Sequence, residues 1–155
     1  MFQLRHVGIY VTDLHKETEF YSRVFGMHFI CQDLVQEDDV IEQLLSAGNI
    51  FRRRIRITKL VTDYGKIIGN DDMIELIQIE RNSAPELLKS VNNKQIWYSG
   101  CMHIAFGVDD LQLVLSKVEQ YGGTRETEIK KSENGNRWCF CRDPEGNWIE
   151  LIERR

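Results

Sequence analysis

The sequence predicts an α+β fold in which two βαβββ modules form a cupped mixed sheet. Two repeats and the pattern between them predict it. Residues 6–14 (HVGIYVTDL) and 103–111 (HIAFGVDDL) align without a gap, matching at His6/His103, Val11/Val108, Asp13/Asp110 and Leu14/Leu111. Residues 73–80 (MIELIQIE) and 148–155 (WIELIERR) share the run Ile-Glu-Leu-Ile at one offset. Each half therefore opens on a His-bearing strand, passes through a helical pattern that closes at glycine, and ends on a Glu-bearing strand; self-similarity of this kind marks a duplicated unit.

The elements follow in chain order. The first helix spans about Leu14 to Phe25, with Leu14, Phe20, Tyr21, Val24 and Phe25 apolar, Asp13 or Thr12 able to cap its start, and Gly26 suited to the left-handed C-terminal position. Strand candidates His28–Leu34 and Phe51–Leu60 precede the first Glu-bearing strand. A linker helix at Glu86–Val91 is opened by Ser83 and Glu86 at capping-box spacing, with Pro85 in its first turn. In the second half Leu111, Val114, Leu115 and Val118 fall at i, i+3, i+4 and i+7, and Gly122-Gly123 end that helix. Strand candidates Thr124–Lys130 and Arg137–Arg142 lead to the closing strand. Asp143-Pro144-Glu145-Gly146-Asn147 is turn chemistry, with Gly146 suited to a positive φ. The length of 155 residues suits one domain, with module one at about 1–81, a linker at about 83–95 and module two at about 99–155. The first half carries about two dozen extra residues within 36–72, of which 36–50 and 63–72 look like a helical turn and a loop. Such an insertion forms a lid or specificity loop, or is surface decoration.

Composition narrows the function. A net charge of −4 argues against a nucleic-acid partner, because phosphate binding usually shows as a basic domain. No apolar run approaches the ~20 residues that cross a bilayer, and the stretch MFQLRHVGIYV lacks the long apolar core and cleavage site of a secretory signal. Cysteines 31, 101, 139 and 141 form no CxxC pair. Their spacing suits a reduced, cytoplasmic protein better than a disulfide scaffold or thiolate zinc site; Cys139 and Cys141, two apart in a probable strand, share one face and read as buried thiols ahead of a redox or ligand pair.

Strand alternation assembles the chemistry. His6, Gly8 and Tyr10 share one face, as do Cys101, His103 and Ala105; Glu75 lies between Met73 and Ile77 on its face, and Glu150 between Trp148 and Ile152. A carboxylate in a core-like strand is costly to bury without a partner. A duplicated sheet curling on itself aims His6, Glu75, His103 and Glu150 into one cavity, and two imidazoles with two carboxylates suit a divalent transition metal. The ordinary alternative is four separate polar residues, each satisfied by hydrogen bonds.

On HVGIYVTDL, FYSRVFGM (20–27), IELI (74–77), HIAFGVDDL and RDPEGNWIELIE (142–153), the chain resembles the vicinal oxygen chelate superfamily, the group of glyoxalase I, bleomycin and fosfomycin resistance proteins, methylmalonyl-CoA epimerase and extradiol dioxygenases. The resemblance covers the whole chain except the insertion. It implies a cupped sheet around a metal, with His6, Glu75, His103 and Glu150 as ligands. The His-Glu-His-Glu set looks most like bacterial glyoxalase I, which implies nickel or cobalt ahead of zinc, manganese or iron. The activity implied is that of a lyase or isomerase moving a proton alpha to a metal-chelated carbonyl through an enediolate, with Glu150 as first choice of base and Glu75 as second. Glutathione is the implied co-substrate, a small molecule the substrate, and a homodimer the assembly.

Departures bear on substrate. Tyr10 stands where glyoxalase I enzymes usually carry a basic residue, which weakens the case for glutathione. Alternation sets Arg53 on an inner face with Phe51, Ile55 and Ile57, where it can meet an anionic substrate, and leaves Arg52, Arg54 and Arg56 on a solvated face. His15 and His28 read as surface or satisfied residues, and Trp97, Trp138 and Trp148 as packing or pocket lining. The alternatives are an epimerase like that acting on methylmalonyl-CoA, which usually has Gln where Glu75 stands, and a non-catalytic antibiotic-binding resistance protein, which generally lacks the ligands.

Overall fold

The structure of the protein, a computed structural model, describes residues 4–36, 54–79 and 100–153. The chain divides into two compact units, one of Met1–Ser22 with Gly26–Ser90 and the other of Arg23–Phe25 with Val91–Arg155. The described strands form two mixed sheets of four and five strands, one from each half of the sequence.

In the first half of the sequence the order is β1 (His6–Tyr10), α1 (Leu14–Phe25, of which Arg23–Phe25 group with the second unit), β2 (His28–Gln36), β3 (Ile55–Val61), α2 (Asp63–Ile67) and β4 (Met73–Ile79). The sheet runs β1-β4-β3-β2, with β1 parallel to β4 and the other pairs antiparallel. The helix α1 starts and stops where its sequence predicts. The Asp13 carboxylate accepts from the Lys16 amide at 3.0 Å, and Gly26 ends the helix at φ 65°, a left-handed conformation that costs glycine little. Leu14, Phe20 and Tyr21 of the helix are buried, as are Leu60, Ile74 and Leu76 of the sheet. Full burial of side chains of this size stabilises by roughly 1.5–3 kcal/mol each.

The second unit has β5 (Ile104–Val108), α3 (Leu111–Gln120), β6 (Thr124–Arg125), β7 (Lys130–Lys131), β8 (Arg137–Arg142) and β9 (Trp148–Glu153). Its path β5-β9-β8-β6 repeats that of the first sheet, with β7 also on β8. The Asp110 carboxylate caps α3 through the Leu113 amide at 3.0 Å, as Asp13 caps α1. Leu111, Leu115, Val118, Cys139, Cys141, Ile149 and Leu151 are the core here.

The duplication extends to contacts that the sequence alignment does not reveal. In the first unit the Leu14 amide donates to the Gln78 side chain at 3.3 Å; in the second the Leu111 amide donates to the Glu153 carboxylate at 3.2 Å. Gln78 and Glu153 each lie three residues beyond the repeated glutamate, so in both units the Glu-bearing strand also holds the start of the helix.

Some expectations need correction. The strand at Thr124–Lys130 is interrupted, because the Glu126 and Thr127 amides both donate to the Phe140 carbonyl and the Thr127 hydroxyl accepts from the Phe140 amide at 2.9 Å, which takes the chain off the ladder. The arginine-rich strand begins at Ile55. Arg56 lies on a solvated face, as expected, and forks there onto the equally exposed Asp33 carboxylate, with its Nε at 2.6 Å from Oδ1. Arg53, Trp97, the linker helix and most of the insertion at 36–50, where a helical turn was expected, lie outside the described residues; in 63–72, expected as a loop, Asp63–Ile67 form α2, with the Thr62 hydroxyl accepting from the Gly65 amide at 3.0 Å at its start.

Candidate metal centre

In the first sheet β1 lies beside β4 with Gly8 opposite Glu75 and His6 opposite Met73. His6 and Glu75 thus stand on one face, with His6 Nε2 at 3.3 Å from Glu75 Oε2. Glu75 is only 13% exposed, so its charge needs a partner, and β3 supplies one: Lys59 is directly across from Glu75 in the antiparallel register, with Nζ at 3.0 Å from Oε1. The two oxygens of Glu75 therefore face different partners.

The second sheet repeats the first pair and not the second. Ala105 is opposite Glu150, which puts His103, two residues earlier, on the same face. His103 Nε2 is 3.1 Å from Glu150 Oε2. The residue across from Glu150 is Phe140, which meets the His103 ring edge-on at 5.3 Å between centroids. Around it Trp138 and Trp148 pack edge-on against Phe140, and the Arg142 guanidinium lies 4.0 Å over Trp148 while reaching Glu126 at 3.3 Å. The β8–β9 turn fixes this register: Gly146 takes φ 82°, and the buried Asp143 carboxylate accepts from the Asn147 amide at 2.7 Å.

The chemistry of both pairs fits a divalent ion. Two donors at adjacent positions of an octahedron, each about 2.1 Å from the ion, lie about 3 Å apart. The His–Glu separations of 3.3 and 3.1 Å match that edge, and they match a hydrogen bond equally well. His103 Nδ1 is buried and has no hydrogen-bond partner among the described residues. Among the described residues no group of three or more His, Cys, Asp or Glu side chains forms a ready-made metal cluster. Each unit thus offers two donors of the expected four, His6 with Glu75 and His103 with Glu150.

The remaining expected residues fall as follows. Tyr10 is half-exposed at the end of β1, and partial burial raises its pKa above the ordinary phenol value. His28 is a satisfied surface residue, 2.6 Å from the Asp63 carboxylate. His15 is exposed in the first turn of α1. Cys139 and Cys141 are buried free thiols facing the core, and burial is the largest cause raising the pKa of each. The residue missed by sequence reasoning is Lys59. Its only signal is a lone charge inside the apolar run ITKLV, and which residue it faces depends on a strand register that turns and bulges decide.

Comparison with known proteins agrees with this architecture. The chain is 26% identical over 161 residues to a lactoylglutathione lyase of Schizosaccharomyces pombe, matching 99% of this chain and spanning about half (48%) of that enzyme. It is also 26% identical to the uncharacterized protein YwbC of Bacillus subtilis, over 98% of both chains. The crystal structure of a glyoxalase family protein from Bacillus cereus has the same fold, with a TM-score of 0.81 at 20% identity over 99% of this chain and 94% of that one. No helix among the described residues is long and apolar enough to cross a membrane. Residues 3–151 match the profile of the Glyoxalase/Bleomycin resistance protein/Dioxygenase superfamily, and the chain belongs to that superfamily.

Proposed function

We propose that the protein is a metal-dependent lyase or isomerase of the glyoxalase I type, which moves a proton alpha to a carbonyl of a small substrate. The observation that carries this reading is the recurrence of one His–Glu pair at equivalent register in both sheets, each pair at the spacing of two adjacent ligands. The distant lactoylglutathione lyase relative supports it. His6, Glu75, His103 and Glu150 would hold one divalent ion, nickel or cobalt by analogy of the donor set, within one chain or between the chains of a homodimer. The chemistry such an ion supplies when bound is Lewis-acid polarisation of two neighbouring substrate oxygens.

The chain's own residues divide the remaining work unequally. Glu75 has one oxygen toward His6 and the other on Lys59, so it is held at both ends and suits the role of fixed ligand. Glu150 has Phe140 across from it in place of a cation, so its carboxylate is the better base to take the proton from one substrate carbon and return it to the next. The aromatic surroundings of Glu150 leave its side chain 22% exposed, so water reaches it only in part.

Metal content by elemental analysis, after purification without chelator, comes first. Turnover of methylglyoxal with glutathione and with other thiols then tests the reaction and the thiol together. Glu150→Gln is expected to lower turnover by roughly 10²–10⁴-fold, the scale of a lost general base, and Glu75→Gln by less. Parent-level turnover in Glu150→Gln refutes the role.

A second reading, a non-catalytic small-molecule binding protein, is favoured by one observation: Lys59 already neutralises Glu75 without a metal. A metal-free protein that binds small ligands and turns over none of these substrates would establish it.

A further inference from the structure

The two His–Glu pairs are alike, and what stands across from each glutamate is not. Phe140 faces Glu150; Lys59 faces Glu75, with its ammonium 3.0 Å from Oε1. Lys59 lies on the strand face that carries the His6–Glu75 pair and is about one-third exposed, so water screens it only in part. On the corresponding face of the second sheet Arg142 is engaged by Glu126 and Trp148, and Lys130, across from Trp138, is exposed on β7 and is not across from Glu150.

We propose that Lys59 is a specificity-determining residue of this site, a fixed cation that competes with the divalent ion for Glu75 and selects an anionic substrate. This rests on the reading that both pairs serve one ion. Two neutral imidazoles and two carboxylates balance a divalent cation, leaving a neutral site. With the Lys59 ammonium on Glu75 the loaded site carries one positive charge in excess, and a ligand bearing one negative charge restores neutrality. Two consequences follow together. The ion is held more weakly than by the four ligands alone, because like charges share Glu75. A carboxylate with a neighbouring hydroxyl or carbonyl oxygen is preferred over a neutral molecule of the same shape.

Lactate and lactamide both present two neighbouring oxygens and differ in charge, so they are the probes. The experiment measures, by calorimetry, the affinity of the full chain for nickel alone, then the affinity of the nickel-loaded protein for each probe. It compares the parent, Lys59→Met and Lys59→Arg, each shown to be folded by its thermal melt. Lys59→Met is expected to bind nickel about tenfold tighter and to lose about tenfold of the preference for lactate over lactamide, the scale of one unit charge at a partly exposed site. Lys59→Arg keeps the charge and is expected to behave as the parent in both. Unchanged nickel affinity or an unchanged lactate preference in Lys59→Met overturns the proposal. If the parent binds nickel and Glu150→Gln loses it while Lys59→Met stays like the parent, the Lys59 role alone falls. If neither the parent nor Lys59→Met takes up nickel, the shared-ion reading falls and this proposal with it.

Discussion

Replacing Asp143 tests how the β8–β9 turn holds Glu150 in place. Its carboxylate is 2% exposed and accepts three hydrogen bonds, from the Glu145 amide at 3.1 Å, the Asn147 amide at 2.7 Å and the Asn147 side-chain amide at 2.6 Å. A hydrogen bond to a charged acceptor contributes roughly 1.5–3 kcal/mol, and three removed at once would give an upper bound well above what is measured, since an opened turn recovers water. Asp143→Ala is therefore expected to destabilise by about 3 kcal/mol, which for a chain of this size lowers Tm by roughly 6–12 °C. Asp143→Asn keeps one oxygen for the two backbone amides, and Asn147 can turn its own amide to meet the new one, so about 1 kcal/mol is expected. Urea unfolding followed by circular dichroism gives the energies. Hydrogen exchange locates the effect: amides of Arg137–Arg142 and Trp148–Glu153 should lose protection first, because the Asp143 amide bond to the Asn147 carbonyl at 3.1 Å closes that hairpin. An Asp143→Ala protein within 0.5 kcal/mol of the parent, with the hairpin still protected, would refute the reasoning.

Further outcomes are open to measurement. Gly65→Ala should destabilise by about 1–3 kcal/mol, because a Cβ there would meet the Asp71 carbonyl oxygen at 2.0 Å and force apart the loop leading into β4; a melt equal to the parent's would show that the loop yields freely. Gly26→Ala, strained by φ 65° but with open space around it, should cost about 1 kcal/mol in the same assay. Cys139 and Cys141 should resist a thiol reagent until the protein unfolds, while the exposed Cys101 reacts at once. Burial raises the pKa of both core thiols above the ordinary 9.0, so the folded chain keeps protons that the unfolded chain releases. Stability should accordingly be unaffected by them below about pH 9 and decline as pH rises beyond it; a flat stability curve from pH 8 to 10.5 would contradict this.

Much of the fold was legible because its signals are local. The bounds of α1 follow from Asp13, an apolar stripe and Gly26, all within fourteen residues of one another. The His and Glu repeats gave the faces of β1, β4 and β9 through alternation alone, and those faces do pair His6 with Glu75 and His103 with Glu150. The solvated face of Arg56 was legible in the same way, but its partner was not, for the opposite reason. Its partner Asp33 lies 23 residues away, in a strand whose register shifts at Cys31 and Leu34 and whose Asp33 takes φ 53°. Alternation breaks at such a bulge, and with it the inference from spacing to face. The split of Thr124–Lys130 into two short strands has the same origin, in Thr127 bonding to the Phe140 backbone.

The sequence by itself determined the duplicated βαβββ plan, the caps of the first helix, the buried thiols of Cys139 and Cys141 and the four donors that recur at equivalent positions. These are properties of neighbouring residues and of periods that a strand or helix imposes on them. Tertiary structure alone decided what stands beside each donor: Lys59 against Glu75 and Phe140 against Glu150. That difference arises from the register between strands distant in the chain. A shift of one residue in either ladder would have turned the lysine or the phenyl ring to the opposite face.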